Sequence, residues 1–502
     1  MGNTLYDALF APLSGASRGL IRLADGRNIT AGAFHDMLAR AANALLSLGV
    51  GPGDRVAVQI AKTPEALAVY AGAVAAGAVF LPLNTAYAPE EIGYFLGDAR
   101  PAVFLCDPAD EAALAPLAEA AGARILTLDA SGGGSFAALM AEASVDLAPV
   151  PRRTGDLAAI LYTSGTTGRS KGAMLSHGNL LSNAEVLTEL WRFTPQDVLL
   201  HALPVFHTHG LFVATNVVLA AGAQMIFLPG FDPEAMLRLM PQATTLMGVP
   251  TFYTRLLGDP RFTRDLVAHM RLFISGSAPL LEETHRDFET RTGQRILERY
   301  GMTETNMSTS NPYKGERRAG TVGLPLPGVE LRIMAEGAEV APGAVGVIEV
   351  RGPNVFKGYW QMPEKTREEL REDGWFITGD LATRDAGGYV RIVGRAKDLV
   401  ITGGFNVYPK ELELLLDEAP GVLESAVIGL PHPDFGEAVF AVLARRPGAQ
   451  PDTATVLAGL AGRVARFKQP KAAVVVDDLP RNTMGKVQKN LLRDRYKDWF
   501  RA

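Results

Sequence analysis

Nine consecutive residues, Thr163, Ser164, Gly165, Thr166, Thr167, Gly168, Arg169, Ser170 and Lys171, bring together five hydroxyls, two glycines and two cations. The two glycines let the backbone wrap closely around a ligand. Successive N–H groups in such a turn form an anion-binding concavity. The hydroxyls add further donors and Lys171 a compact positive charge. Polyphosphate is the chemistry such a loop suits. The spacing is not that of a Walker A loop, which requires G-x-x-x-x-G-K-[ST].

A phosphate loop needs rigid elements on both sides. LAAILYT (157–163) before it reads as a strand, and LSHGNLLSNAEVL after it as a helix, so the loop is expected to link a strand end to a helix. Further short apolar runs read as strands at 55–61, 102–106, 124–129, 198–204, 224–229, 244–249, 272–276 and 295–301. Ala/Leu-rich stretches with helical spacing separate them. This alternation predicts an α/β fold, with a large N-terminal domain of mostly parallel αβ layers. After about residue 320, GVELRIM, GVIEVRG and GYVRIVG predict a β-rich subdomain. A strand–helix rhythm of its own then predicts a small, mobile α+β C-terminal domain. The expected division is 1–395 and 396–502. SGGGS at 131–135 is expected to be a mobile surface loop, and Pro409 to start a helix with an apolar stripe at Leu412, Leu414 and Leu415.

The 502 residues carry a net charge of −5, so any anionic ligand must be held by a local basic site. Bulk attraction to nucleic acid or membrane is not expected. Cys106 is the only cysteine, which excludes an internal disulfide and fits a reducing, cytoplasmic location. The N-terminal MGNTLYDALF has no basic start followed by an apolar run, so no signal peptide is expected. The apolar runs at 66–83 and 211–231 contain internal glycines and end at Pro-marked turns. Each is expected to be a buried helix followed by a buried strand, not a membrane span.

The loop, together with YGMTET (300–305), WFITGD (375–380), GRAKD (394–398) and PRNTMGK (480–486), resembles the ordered motif set of the adenylate-forming superfamily. That superfamily includes acyl- and aryl-CoA synthetases, luciferases and peptide-synthetase adenylation domains. The resemblance runs along essentially the whole chain. It implies ATP and Mg²⁺ as activators of a carboxylate, an acyl-adenylate intermediate, and coenzyme A as the thiol that displaces AMP. It also implies residue roles. Lys486 would bridge the substrate carboxylate and the α-phosphate. Glu304 would carry the Mg²⁺, Thr303 would contact the α-phosphate, Tyr300 would stack on adenine, and Asp380 and Arg395 would hold the ribose. Lys397 would lie at the hinge of a swinging C-terminal domain, and Gly403 and Gly404 would leave room for the pantetheine arm. Acylation of Lys486 by a lysine acyltransferase, reversed by a deacylase, would remove the needed cation.

The same resemblance places the acid near His207, His209, Arg255, Ser277 and Arg299, with Ser277 also beside the nucleotide. Arg299 departs from relatives of apolar acids, which have a small residue there. A permanent cation in a closing site needs a partner. Either a second substrate carboxylate fills that need, or a protein carboxylate such as Glu298 or Glu304 does. The motifs HTHG, VPTFYTRL, ISGSAPL and ERYGMTETNM are most similar to those of malonyl-CoA (methylmalonyl-CoA) synthetases, which implies malonate as the acid. The alternatives are a short- or medium-chain monocarboxylate–CoA ligase, or an amino-acid or aryl adenylation enzyme.

Overall fold

The segments VFLC (Val103–Cys106) and VFLP (Val79–Pro82) are buried along their whole length. Continuous apolar runs of this kind belong to parallel strands covered on both faces. They lie in a six-stranded sheet ordered Arg124–Thr127, Val103–Cys106, Arg55–Gln59, Val79–Pro82, Leu157–Thr163, Lys171–Ser176, in which only the last pair is antiparallel. This computed structural model describes residues 2–163, 170–402, 405–461, 463–464, 466–482 and 485–500, with backbone alone at 405 and 406.

A second sheet has nine strands. Its middle six, from Leu297–Met302 through Leu272–Ser275, Thr245–Gly248, Val198–His201 and Gln224–Phe227 to Gly19–Leu23, are parallel. Antiparallel strands close both edges. The β-rich part is a five-stranded antiparallel sheet that includes Gly346–Arg351, Phe376–Arg384 and Val390–Arg395. These layers share one large core.

From Val400 onward the chain builds a separate sheet around the long hairpin Val422–His432 and Gly436–Arg445. Alternate hairpin residues feed two different clusters. Val427, Val439 and Ala441 line one, and Ala426, Ile428 and Phe440 line the other. Both faces of this sheet are therefore covered, as the period of two requires.

Both apolar runs are buried helix-plus-strand units. The helix Pro64–Ala75 starts with Thr63 capping the Ala66 N–H and packs against Ala31–Ser47. Gly72 permits this approach, since a Cβ there would lie 2.8 Å from the Ala41 Cβ. No helix among the described residues is long and apolar enough to cross a membrane.

Three local expectations are corrected. The phosphate loop does not run into a helix. It joins Leu157–Thr163 to the antiparallel strand Lys171–Ser176, and the helix His177–Leu190 begins only after Ser176 caps it. The sequence KGAMLS has a Gly and an Ala where a strand usually carries branched residues, which hid it. SGGGS is a hydrogen-bonded turn, in which the Asp129 carboxylate accepts from the N–H groups of Ser131 and Gly133. In the helix Pro409–Asp417 the buried face is Leu412, Glu413, Leu416 and Asp417; of the expected stripe, Leu412 is buried and Leu415 packs against the core from partial burial, while Leu414 does not join it.

Candidate active site

The nucleotide half is assembled by strand pairing. Asp380 and Arg395 face each other across adjacent antiparallel strands, and the Arg395 Nε lies 2.6 Å from the Asp380 carboxylate. Asp380 is only 4% exposed. The Tyr300 hydroxyl, at the end of Leu297–Met302, donates to Asp380 at 2.5 Å. Three residues distant in sequence thus form one cluster that presents a carboxylate, a guanidinium and a half-buried ring.

Thr303 and Glu304 occupy the turn between Leu297–Met302 and Asn306–Ser310. Glu304 is buried, and burial pushes its carboxyl above the ordinary range. Its Oε1 accepts from the Tyr359 hydroxyl at 3.1 Å, and the same hydroxyl lies 2.5 Å from Glu369 Oε2. Lys171 is 3.2 Å from Glu369 and sits over the Tyr359 ring, 4.2 Å from its centroid. A phosphate-loop lysine and a candidate magnesium carboxylate are therefore joined through Tyr359 and Glu369. Neither of these was singled out in the sequence, where PEKTREE reads as a solvated charged helix. Thr163 and Ser170 flank this group and are half-buried; Ser164–Arg169 lie outside the described residues.

The acyl half begins at a π-helix, His209–Thr215, a rare geometry that favours functional sites. The His209 N–H donates to His207 Nδ1 at 3.3 Å, which leaves the proton of neutral His207 on Nε2. Burial first, and then the Arg299 and Lys486 cations, push His207 down to about 4. His209 is fully buried. Its Nδ1 lies 3.2 Å from the Ser277 hydroxyl, and its Nε2 has no partner among the described residues. Ser277 holds a left-handed φ of 71°, a strained conformation for a non-glycine residue and one that clusters at functional sites.

Arg299 is 3% exposed, and its Nε and Nη2 have no partner among the described residues. Burial lowers its guanidinium to about 9, with Tyr253 opposing. Strand alternation sends the neighbouring Glu298 to the opposite face, where it faces Glu282 and Arg391. Glu304 is held by Tyr359. Arg299 has no ion pair with either carboxylate. Gly276, missed in the sequence, leaves the space that the Arg299 guanidinium fills. Tyr253 is buried beside Arg299, but its hydroxyl donates to the Ile274 carbonyl at 2.6 Å. Arg255 is not part of this group. Two residues along the helix Pro250–Leu257, it turns outward, is exposed, and lies 5.8 Å from the Phe231 ring centroid.

Lys486 closes the site from the C-terminal side. Asn482 Oδ1 accepts the Lys486 N–H at 2.9 Å. Gly485 lies against the N-terminal part of the chain: a Cβ there would be 3.3 Å from Thr251 Oγ1. Lys486 keeps solvent access, yet the surrounding protein and then Arg395 push its ammonium down, with Asp380 and Asp398 opposing. Its charge also adds to the lowering at His207. Lys397 is exposed and is pushed to about 8 by desolvation, with Arg395 and Lys486 adding to the shift. Gly403 and Gly404 lie outside the described residues.

The AMP-binding enzyme family matches residues 15–360, and the AMP-binding enzyme C-terminal domain matches 411–486. This chain belongs to the AMP-binding enzyme family. It is an acid–thiol ligase that uses ATP and coenzyme A, as its relatives do.

The ligase is 57% identical to MatB from Rhodopseudomonas palustris, with 100% of both chains covered. Its TM-score is 0.98 against the ATP-bound crystal structure and 0.85 against the apo form. It is 36% identical to an indoleacetate–CoA ligase of Aromatoleum aromaticum over 93% of each chain. It is also 35% identical to a malonate–CoA ligase of Arabidopsis thaliana, covering 88% of this chain and 78% of that one. Mg²⁺ is typical of the family, and a single buried carboxylate suits an ion that keeps phosphate oxygens and waters as its other ligands.

Proposed function

We propose that this ligase joins malonate, and also methylmalonate, to coenzyme A through an acyl-adenylate. Arg299 carries the reading. It is a buried guanidinium with two nitrogens that have no partner among the described residues, beside a buried His209 whose remaining ring nitrogen has none among them either. With the Ser277 hydroxyl donating to His209 Nδ1, the ring proton sits on Nε2, so these three open nitrogens are all donors. A distal carboxylate satisfies such a set through the planar fork of Arg299. A monocarboxylate leaves those donors desolvated and unpaired, which costs binding. The similarity to MatB and to a malonate–CoA ligase supports the same acid.

In this reading a carboxylate oxygen of the acid attacks the α-phosphorus of ATP, the bond to the β-phosphate breaks, and pyrophosphate leaves. Two anions must meet, so the site has to offset their repulsion. Lys486 bridges them, and Thr303 contacts the α-phosphate. Tyr300 stacks on adenine, while Asp380 and Arg395 hold the ribose. Lys171 moves from Glu369 to the triphosphate, joined by the loop Thr163–Lys171. Glu304 would hold Mg²⁺, which when bound would supply positive charge against the phosphates. The coenzyme A sulfur then attacks the acyl carbon and AMP departs.

One site cannot both shield the first step and admit a thiol, so we place a hinge at Arg395–Asp398, including Lys397, between domains 1–395 and 396–502. Rotation there withdraws Lys486 and presents the Gly403–Gly404 face. Acylation of Lys486 by a lysine acyltransferase stops the first step by removing its charge.

Pyrophosphate release with malonate, methylmalonate, acetate and octanoate, each with and without coenzyme A, tests the reading. Malonate is expected to have the highest kcat/KM. Acetate or octanoate exceeding malonate refutes the diacid.

A further inference from the structure

The helix Glu282–Thr292 opens on two adjacent glutamates, and successive residues of an α-helix leave its axis about 100° apart. They therefore reach different partners. Glu282 Oε1 lies 3.0 Å from Arg391 Nη1, in the strand Val390–Arg395 that leads into the proposed hinge. Both carboxylate oxygens of Glu283 lie 3.2 Å from Nη2 of Arg446, which directly follows the C-terminal strand Gly436–Arg445. Among the described residues this is the one ion pair that spans the hinge.

Both ends of the pair are anchored. The Arg446 N–H donates to the Gly421 carbonyl at 2.8 Å, and its Nε donates to the Val422 carbonyl at 3.1 Å. On the other side, residues 276–281 join the helix to the acyl pocket. The Ser277 hydroxyl lies 3.2 Å from His209 Nδ1, and the Leu280 N–H donates to the buried Glu298 carboxyl. The helix start is therefore fixed to the N-terminal part, and the pair resists movement of the C-terminal sheet. Both side chains are about half exposed, so the pair is weak and sensitive to salt. An enzyme that occupies two orientations in every cycle can hold neither deeply. A weak pair is then enough to shift their populations severalfold.

We propose that Arg446 and Glu283 are positioning residues for the first half-reaction: their ion pair holds the C-terminal domain in the orientation that brings Lys486 to the nucleotide, and it breaks when the thiol is admitted. The inference rests on the swinging domain read above and not on which acid is activated. Rotation about Arg395–Asp398 carries Arg446 away with its sheet, while Arg391 stays beside Glu282. Glu283, once released, remains in the first turn of its helix, where the positive end of the dipole favours a carboxylate, so the release costs little.

The two half-reactions, measured separately on the full chain with whichever acid turns over best, test the pair. They are acid-dependent exchange of labelled pyrophosphate into ATP, and transfer from supplied acyl-AMP to coenzyme A. Glu283→Arg and Arg446→Glu should each lower the ratio of exchange to transfer about threefold or more at low ionic strength. The double reversal should restore the ratio, and the differences should vanish in about 1 M salt, where the screening length is about 3 Å. An unchanged ratio in both single variants overturns the proposal, as does a double reversal that restores nothing. Should a reversal fail to fold, Arg446→Gln decides by the same ratio. Bridging Glu283→Cys to Arg446→Cys with bismaleimidoethane separates failure of the pair from failure of the swinging domain; Cys106 is buried and does not compete. The bridged enzyme should keep exchange and lose transfer. Transfer that persists removes the rotation and the role of the pair with it, whereas blocked transfer with unchanged ratios removes the pair alone.

Discussion

The Arg299 guanidinium fills the space left by the missing side chain of Gly276: a Cβ there would lie 2.4 Å from both Cζ and Nη1 of Arg299. Residue 276 thus sets where the cation stands.

Gly276→Ala is expected to push the guanidinium aside and misplace its donors. Overpacking of this kind costs about 1–3 kcal/mol, roughly a 5- to 150-fold loss of kcat/KM for malonate. The loss should appear mainly in the malonate KM, with ATP KM unchanged. Steady-state kinetics with both substrates varied would check this. An equal rise in both KM values would mean that Gly276 serves the fold and not the acid.

Lys486→Ala should separate the two half-reactions. Malonate-dependent exchange of labelled pyrophosphate into ATP is expected to fall by roughly 10²–10³-fold, the usual effect of deleting one group that stabilises developing charge. Transfer of the acyl group from supplied malonyl-AMP to coenzyme A should persist. Equal loss of both steps would remove Lys486 from the role assigned to it.

Glu298 supplies a pH signature unrelated to catalysis. Burial raises its carboxyl from 4.5 to about 8. Between those values the folded protein holds a proton that the unfolded chain has lost, so this group makes stability fall as pH rises. Above about 8 the contribution levels off. Glu298→Gln should therefore flatten the decline of denaturant midpoint between pH 5 and 8. A variant whose pH profile runs parallel to the wild type would contradict the buried, protonated state.

Much of this was legible because the informative residues announce themselves by type and order. Asp380, Arg395, Tyr300, Glu304 and Lys486 stand in motifs, and the structure brings all five around one site. The parallel strands were readable as continuous apolar runs. Contacts made by residues with bland local context were hidden. Glu369 reaches Lys171 and Tyr359 from a helix whose sequence reads as surface. Gly276 acts through an absence of atoms, which only the approach of Arg299 reveals. Arg255 shared a segment with Tyr253, but a 100° turn per residue sends the two to opposite faces. The helix Pro409–Asp417 buries Glu413 because Lys489 lies 2.5 Å from its carboxylate, a pairing too distant to read from hydrophobic periodicity.

The proposed diacid specificity rests on Arg299, and the ratio of kcat/KM for malonate to that for propionate, measured in the wild type and in Arg299→Ala, addresses it most directly. Losing a buried charge-paired contact costs roughly 2–5 kcal/mol, so the ratio should collapse by about 30-fold or more in the variant, with propionate little affected. A ratio that stays the same while both acids lose activity would contradict a guanidinium that grips the far carboxylate.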